Sequence, residues 1–341
     1  MNSYNLEDMS EMVKAEVTIN GAIRLGNYIA CDAHDSERPV RIVTHAHIDH
    51  IIGLQKSLKQ SEMVIMTKAT KDLIKVLYHK NVDNVTAVNY NEKIGWKDEK
   101  ITLIYADHII GAAQVLVETE NERLVYTGDF RLPKTPIIEA DILVIEATYG
   151  KPKFKRPPMD VIRDSLIKLV SRSIMRGPVH IFGFHGKVQE VMELLRDEGI
   201  DVPFIATRRV YEVTQICRQH GMRIGEVYLK SSKEACEIMK SNQYIMFHHA
   251  STLNRVKING VKIHLTGWEF RRMVWQVSEN EYRVALSDHA DFTQLMLYVA
   301  TSKPKLVITD NYRVGYATEL AKQIEKRLGI KAVPMPLKRK L

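Results

Sequence analysis

The chain has 341 residues, 45% hydrophobic and 26% charged; these are the values of a globular protein of about two domains, and they exclude a coiled coil, a collagen or a disordered chain. Lys and Arg number 49 against 41 Asp and Glu, a formal charge of +8 that favours a polyanionic partner. The three cysteines, Cys31, Cys217 and Cys236, make neither a disulfide framework nor a CxxC metal knuckle, and point to a reducing, cytoplasmic setting.

The opening MNSYNLEDMSEM has no apolar segment of a secretory signal, and no run approaches 18 apolar residues, so no membrane span is expected. Short β-rich runs ending in polar loops predict strands at 15–19, 28–32, 39–44, 63–66, 101–106, 113–118, 123–127 and 142–146. Helices are predicted over 49–59, where Ile51, Ile52, Leu54 and Leu58 form a stripe, and over 68–79. GKPKFKRPP (Gly150–Pro158) is a basic, proline-rich connector. Beyond it, helices at 160–176, 187–198, 208–219 and 233–240 alternate with strands at 178–183, 203–206 and 243–247, the rhythm of βαβ units around a parallel sheet. A strand (Tyr282–Leu286), loop (Ser287–Asp291), helix (Phe292–Ala300), strand (Leu306–Thr309) and helix (Tyr316–Leu328) follow. Residues 151–279 thus read as an insertion into a domain built from 1–150 and 280–341.

The densest chemistry lies in RIVTHAHIDHIIGL. His45, His47, Asp49 and His50 place three imidazoles and a carboxylate within six positions at a strand end. Imidazole suits zinc, and carboxylate admits a second, harder ion. His45 and His47, two apart in extended chain, project to one side; Asp49 and His50 open the next helix and can turn toward a neighbouring ion. One loop does not complete a zinc site, and matching residues recur at later strand ends: His108 after ITLIYAD and Asp129 after RLVYTG.

Asp32 after an early strand, His45/His47/Asp49/His50, His108 and Asp129 together resemble the metallo-β-lactamase superfamily. DILVIEATYG, the inserted domain and LSDHADF narrow the resemblance to its β-CASP nucleases, the group of the pre-mRNA cleavage and polyadenylation endonuclease, ribonuclease J and Artemis-like DNA nucleases. HIIGAAQ also resembles a stretch of that group, and IEATYG, Gly186–Glu190, Thr266–Arg271 and SDHAD are most similar to ligase-associated DNA exonucleases and to messenger-RNA 3′-end processing exonucleases. The resemblance implies an α/β fold, a metallo-β-lactamase αββα sandwich carrying a β-CASP α/β insertion. It implies a first zinc on His45, His47, His108 and Asp129, and a weaker second ion on Asp49, His50 and Asp129, with Mn2+ as a substitute. Asp32 would orient the metal loop. His289 would be the general acid and Glu146 its partner, a role suited to an imidazole near neutral pH.

One position departs from the pattern. A late strand, KLVIT, runs into Asp310, where RNA-cleaving members carry His and DNA-cleaving ones Val; Asp310 is either a carboxylate ligand or a turn residue. Contacts to a nucleic-acid backbone are expected from the connector lysines (Lys151 above all), from Lys187 at a helix start and from Arg271, and Trp268 either stacks a base or packs between domains. The function expected is zinc-dependent hydrolysis of phosphodiesters at single-stranded DNA ends, in a DNA-repair setting. The alternatives are an RNA-processing nuclease, a small-molecule metallo-hydrolase and a non-catalytic nucleic-acid-binding scaffold.

Overall fold

The computed structural model describes residues 14–337; the opening MNSYNLEDMSEM and the terminal KRK lie outside them. The chain first lays down six strands, β1 (Ala15–Val17), β2 (Ile23–Leu25), β3 (Ile29–Cys31), β4 (Val40–Ile42), β5 (Met63–Thr67) and β6 (Thr86–Val88), in a sheet of that order. It then builds β7 (Lys93–Trp96), β8 (Glu99–Tyr105), β9 (Ala113–Glu118), β10 (Arg123–Tyr126) and β11 (Ile142–Ile145) of a second sheet. A third sheet follows, from β12 (Val179–Gly183), β13 (Phe204–Ala206), β14 (Val227–Leu229), β15 (Ile245–His249), β16 (Val261–Leu265), β17 (Val274–Ser278) and β18 (Glu281–Val284). The chain finally returns to the second sheet with β19 (Leu306–Asp310) and β20 (Lys331–Met335), so that this sheet runs β20-β19-β11-β10-β9-β8-β7. The architecture is mixed α/β.

Side-chain alternation explains the layering. Ile101 and Leu103, Val115 and Val117, Leu124 and Tyr126, and Ile142 and Val144 point from the second sheet into a core shared with Ile23, Leu25, Val40, Ile42 and Ile65 of the first. Intervening residues such as Leu116, Val125, Leu143 and Ile145 face the other way, as a period of two requires. The outer faces are covered by helices. Leu73, Ile74 and Leu77 of Lys68–Tyr78 share a core with Val64 and Met66 of β5. Leu295, Tyr298 and Val299 of Phe292–Ser302 and Leu320 and Ile324 of Ala317–Leu328 belong to the same core as the outer face of the second sheet. The third sheet is parallel except for β17–β18, with the helices Met159–Ile174, Lys187–Asp197 and Arg208–Gln219 continuing the core onto it. Among the described residues no helix is long and apolar enough to cross a membrane.

Three expectations change. The strand expected to reopen the first domain near 280 instead pairs with β16 (Lys262↔Glu281 to Leu265↔Val284) and closes the third sheet; the return begins after Val284. The helix expected over 49–59 is a 3-10 turn, Ile48–His50, and a separate helix, Leu54–Gln60, divided by left-handed Gly53 (φ +67°). Strands β2, β6, β7, β14, β16, β17 and β20 were not expected. Three of these are only three residues long, too short for periodicity to register, and β20 carries Pro334 on an edge, the place a sheet tolerates it.

Candidate metal centre

Asp32 follows β3 in the left-handed region, at φ +62°. Its fully buried carboxylate accepts from the Thr44 backbone N–H (2.8 Å), the Thr44 hydroxyl (2.7 Å) and His50 Nδ1 (2.7 Å). A carboxylate only accepts, so the His50 proton sits on Nδ1 and Nε2 turns toward Asp129 Oδ2, 3.2 Å away. Thus the chain fixes the loop after β4 through a carboxylate eighteen residues upstream of the imidazole that it holds, the arrangement by which metal-binding histidines are commonly oriented.

His45, His47, His108 and Asp129 each bring one ligand atom into a group within 4.8 Å. Asp129 Oδ2 lies 3.5 Å from His45 Nε2 and 3.8 Å from His108 Nε2, and His108 Nε2 is 3.0 Å from His47 Nδ1. His108 Nδ1 donates to the Asp288 carbonyl at 2.8 Å, which leaves Nε2 as a lone pair facing the group. Burial, then the neighbouring imidazoles, pushes His45 and His47 well below the ordinary histidine pKa, and His45 Nε2 is buried with no hydrogen-bond partner. Neutral imidazole nitrogens converging on one carboxylate are the donor set of a zinc ion, and the four residues fit one.

The small residues after His108 have a packing reason. Gly111 has φ +85°, its carbonyl accepts from the hydroxyls of Thr67 (2.7 Å) and Thr70 (3.0 Å), and a Cβ there would meet the Thr70 nitrogen at 2.6 Å. Gly111→Ala is expected to cost about 1–3 kcal/mol in chemical denaturation, the scale of a strained left-handed residue, and to loosen the His108 loop.

At the end of β11, Glu146 is buried; Oε1 accepts from the Phe130 N–H (3.0 Å) and Oε2 from His289 Nδ1 (3.1 Å). His289 Nδ1 also lies 3.9 Å from Asp129 Oδ2. Burial pushes the His289 pKa down, but Glu146 and Asp129 outweigh it and hold the imidazole well above its usual value. With Nδ1 occupied by Glu146, the second ring N–H, on Nε2, is free for transfer.

No family model matches the chain. An uncharacterised protein in the lig 3′ region of Acidianus ambivalens is 44% identical over 138 residues, 40% of this chain and 99% of that protein. A probable DNA ligase of Opitutus terrae is 25% identical over 309 residues, covering 87% of this chain but 28% of the ligase. The probable RNase MJ4 of Methanocaldococcus jannaschii is 28% identical over 252 residues, 62% of this chain and 58% of that protein. Further matches are named an RNase J-like protein and subunit 3-I of the Arabidopsis thaliana cleavage and polyadenylation specificity factor. These nuclease relatives are of the metallo-β-lactamase β-CASP family, and the chain is similar to that family. It spans little over half the length of the probable RNase and little over a quarter of the probable ligase. A crystallised protein of unknown function from Enterococcus faecalis V583 shares its fold, with a TM-score of 0.58 over 86% of this chain and 92% of that one at 14% identity.

The other expected site residues lie in varied surroundings. Asp49 is half-exposed, with Oδ2 3.6 Å from His50 Nε2. Lys187 is not a free phosphate ligand: it is buried, with Nζ 3.2 Å from Asp288 Oδ1. Lys151 Nζ stands 4.0 Å over the Tyr316 ring, and the Arg156 guanidinium sits 4.3 Å from both the Tyr149 and Phe270 rings while donating to the Gly267 carbonyl, so the connector is pinned by aromatic faces. Arg271 is exposed. Trp268 is half-exposed, 5.2 Å from the Tyr149 ring. Asp310 is buried and accepts from Arg313 Nη1 at 2.7 Å, the turn arrangement rather than a place among the four converging groups.

The sequence reading missed Asp288, Arg131 and Arg313. Asp288 lies inside the quoted SDHAD, and its carbonyl orients His108. Arg131 follows the Asp129 loop and bridges Asp107 (2.8 Å), Glu190 of the third-sheet region (3.0 Å) and the Ser287 carbonyl (3.1 Å). Its one advance signal was a basic residue two positions past a ligand, which alone indicates nothing.

Proposed function

We propose that the chain is a zinc-dependent nuclease that hydrolyses phosphodiesters at single-stranded DNA ends. The observation that carries this reading is the pairing of His289 with Glu146 directly beside Asp129, the carboxylate of the four-residue metal group. When bound, a divalent ion on His45, His47, His108 and Asp129 supplies activation of water and neutralises charge at the phosphodiester; Mn2+ serves in place of Zn2+. Asp49, His50 and Asp129 form the second, weaker ion position, and Asp32 fixes His50. His289, charged and held by Glu146, gives its Nε2 proton to the departing oxygen. The third-sheet region, from residue 151 to about Val284, acts as the β-CASP insertion, and the substrate lies in the cleft between it and the metal loops, with Lys151 and Arg271 as its expected backbone contacts. The protein works in the cytoplasm.

The probable DNA ligase among the relatives and the lack of His at position 310 favour DNA; the RNase names support RNA as the second reading. The test is turnover on matched single-stranded DNA and RNA oligonucleotides at one salt concentration, with and without Zn2+ or Mn2+. DNA is expected to be degraded from its ends, with affinity falling linearly in log salt for both polymers because basic side chains displace counterions. RNA cleavage with DNA intact would reverse the substrate and keep the chemistry. Turnover of small esters alone would make the protein a small-molecule hydrolase, and metal-independent binding without turnover a scaffold.

A further inference from the structure

The two expected ion positions differ in what stands behind them. Behind the second are two buried guanidiniums. Arg313 Nη2 donates to the backbone carbonyl of Asp49 at 3.2 Å and to that of Gly21 at 3.4 Å. Arg41, 1% exposed, donates from Nη2 to the backbone carbonyl of His50 at 3.1 Å, and its Nε and Nη1 have no partner among the described residues. Asp49 and His50 are the residues whose side chains would hold the second ion, and each carbonyl carries a fixed positive charge.

Asp310, the late-strand carboxylate expected either as a ligand there or as a turn residue, is held in a turn. Asp310 Oδ2 accepts from Arg313 Nη1 (2.7 Å), while Oδ1 accepts from the N–H groups of Tyr312 (2.9 Å) and Arg313 (3.4 Å). The pair is almost wholly buried, with side chains 2% and 8% exposed. This Asx turn at the end of β19 folds Arg313 back onto the metal loop. The carboxylate is thus both neutralised and occupied, and the charge that neutralises it faces the second position.

We propose that the Asp310–Arg313 pair, with Arg41 behind it, is the element that keeps the second ion weak, the two guanidiniums donating to the backbone of the residues that would hold that ion. The inference rests on the metal reading of the site given above. A guanidinium held within a few ångströms of a divalent ion's ligands in a partly desolvated site opposes that ion by an amount on the order of 10–100-fold in affinity. The first position, with three imidazoles and Asp129, keeps its ion.

The experiment titrates metal-stripped full-length protein with Zn2+ against a chromophoric chelator and counts metal retained after gel filtration. Wild type is expected to retain one equivalent and to take a second in a separate step at least about 30-fold weaker. Arg313→Met removes the charge and frees Asp310 as a ligand, and should tighten only the second step, by about 10–100-fold. Arg313→Gln, which keeps donors for the carbonyls, should behave likewise if the Met variant does not fold. Arg313→Lys keeps the charge and should stay near wild type. Two equivalents taken by wild type in one tight step, or a second step unmoved in both uncharged variants, overturns the proposal. Absence of nucleic-acid cleavage alongside this titration pattern would sink the proposed function and leave the inference standing.

Discussion

His289→Ala is expected to cut turnover roughly 10²–10⁴-fold, the scale of a lost proton donor, with zinc content at the wild-type level. Its Nδ1 is taken by Glu146 at 3.1 Å, and His289 is not a member of the group formed by His45, His47, His108 and Asp129, although it stands in two neighbouring groups of possible ligands, with His108 and Asp288 and with Asp129 and Glu146; removing the ring is expected to remove a proton source and to leave the four-residue group intact. The role is checked with the leaving group. On bis(p-nitrophenyl) phosphate, whose departing phenolate needs little protonation, the variant should recover most of the wild-type rate, and on an oligonucleotide it should not. Glu146→Gln should fall between the two proteins, since it keeps a hydrogen-bonding oxygen but loses the charge that holds the proton on His289. A His289→Ala protein that came off the column without zinc would make His289 a ligand and overturn the assignment.

His47→Ala should lose metal and turnover together. His47 Nδ1 is 3.0 Å from His108 Nε2, so the two imidazoles face the same space, and three groups without it leave a zinc ion short of its tetrahedral set. Asp32→Ala gives the graded comparison. It removes the acceptor of the His50 proton, of the Thr44 hydroxyl and of the Thr44 backbone N–H, and should cost metal affinity about 10–100-fold, the usual scale for losing an orienting carboxylate. Elemental analysis after exhaustive dialysis measures both. Full metal and full turnover in His47→Ala would refute the metal reading of this loop.

What was legible in the sequence follows from how the chemistry is spaced. His45, His47, Asp49 and His50 sit in one loop, and His108, Asp129 and Glu146 each end or follow a strand of ordinary length, so pattern and chemistry coincide. The same holds for the β-branched interior strands, whose near-continuous apolar runs match burial on both faces. Short strands such as Ile23–Leu25 and Val227–Leu229 give periodicity too few residues to act on. The paired cations were hidden for another reason. Lys187 looked like a phosphate ligand at a helix start, yet its partner Asp288 lies about a hundred residues on, and only the fold shows that the two meet. Arg313 lies three residues past Asp310, in the spacing of an Asx turn, but nothing local says that its guanidinium returns to a loop whose contact is 264 positions earlier in the chain.

The hydrogen bond from His108 Nδ1 to the Asp288 carbonyl spans 180 residues, and it has a consequence for biosynthesis. At ~5–20 residues per second, the ribosome takes on the order of 10–40 s to pass from one partner to the other. For most of that interval, once Asp129 has been added, the four residues of the metal group exist on the nascent polypeptide, while the backbone that sets the His108 ring, and the His289 beside it, have not yet been made. Metal captured early therefore meets an imidazole free to rotate and a centre with no proton donor. Only once Asp288 and His289 have been made does a loose chelating patch become an ordered centre, so on the proposed mechanism competence arrives after the metal ligands themselves.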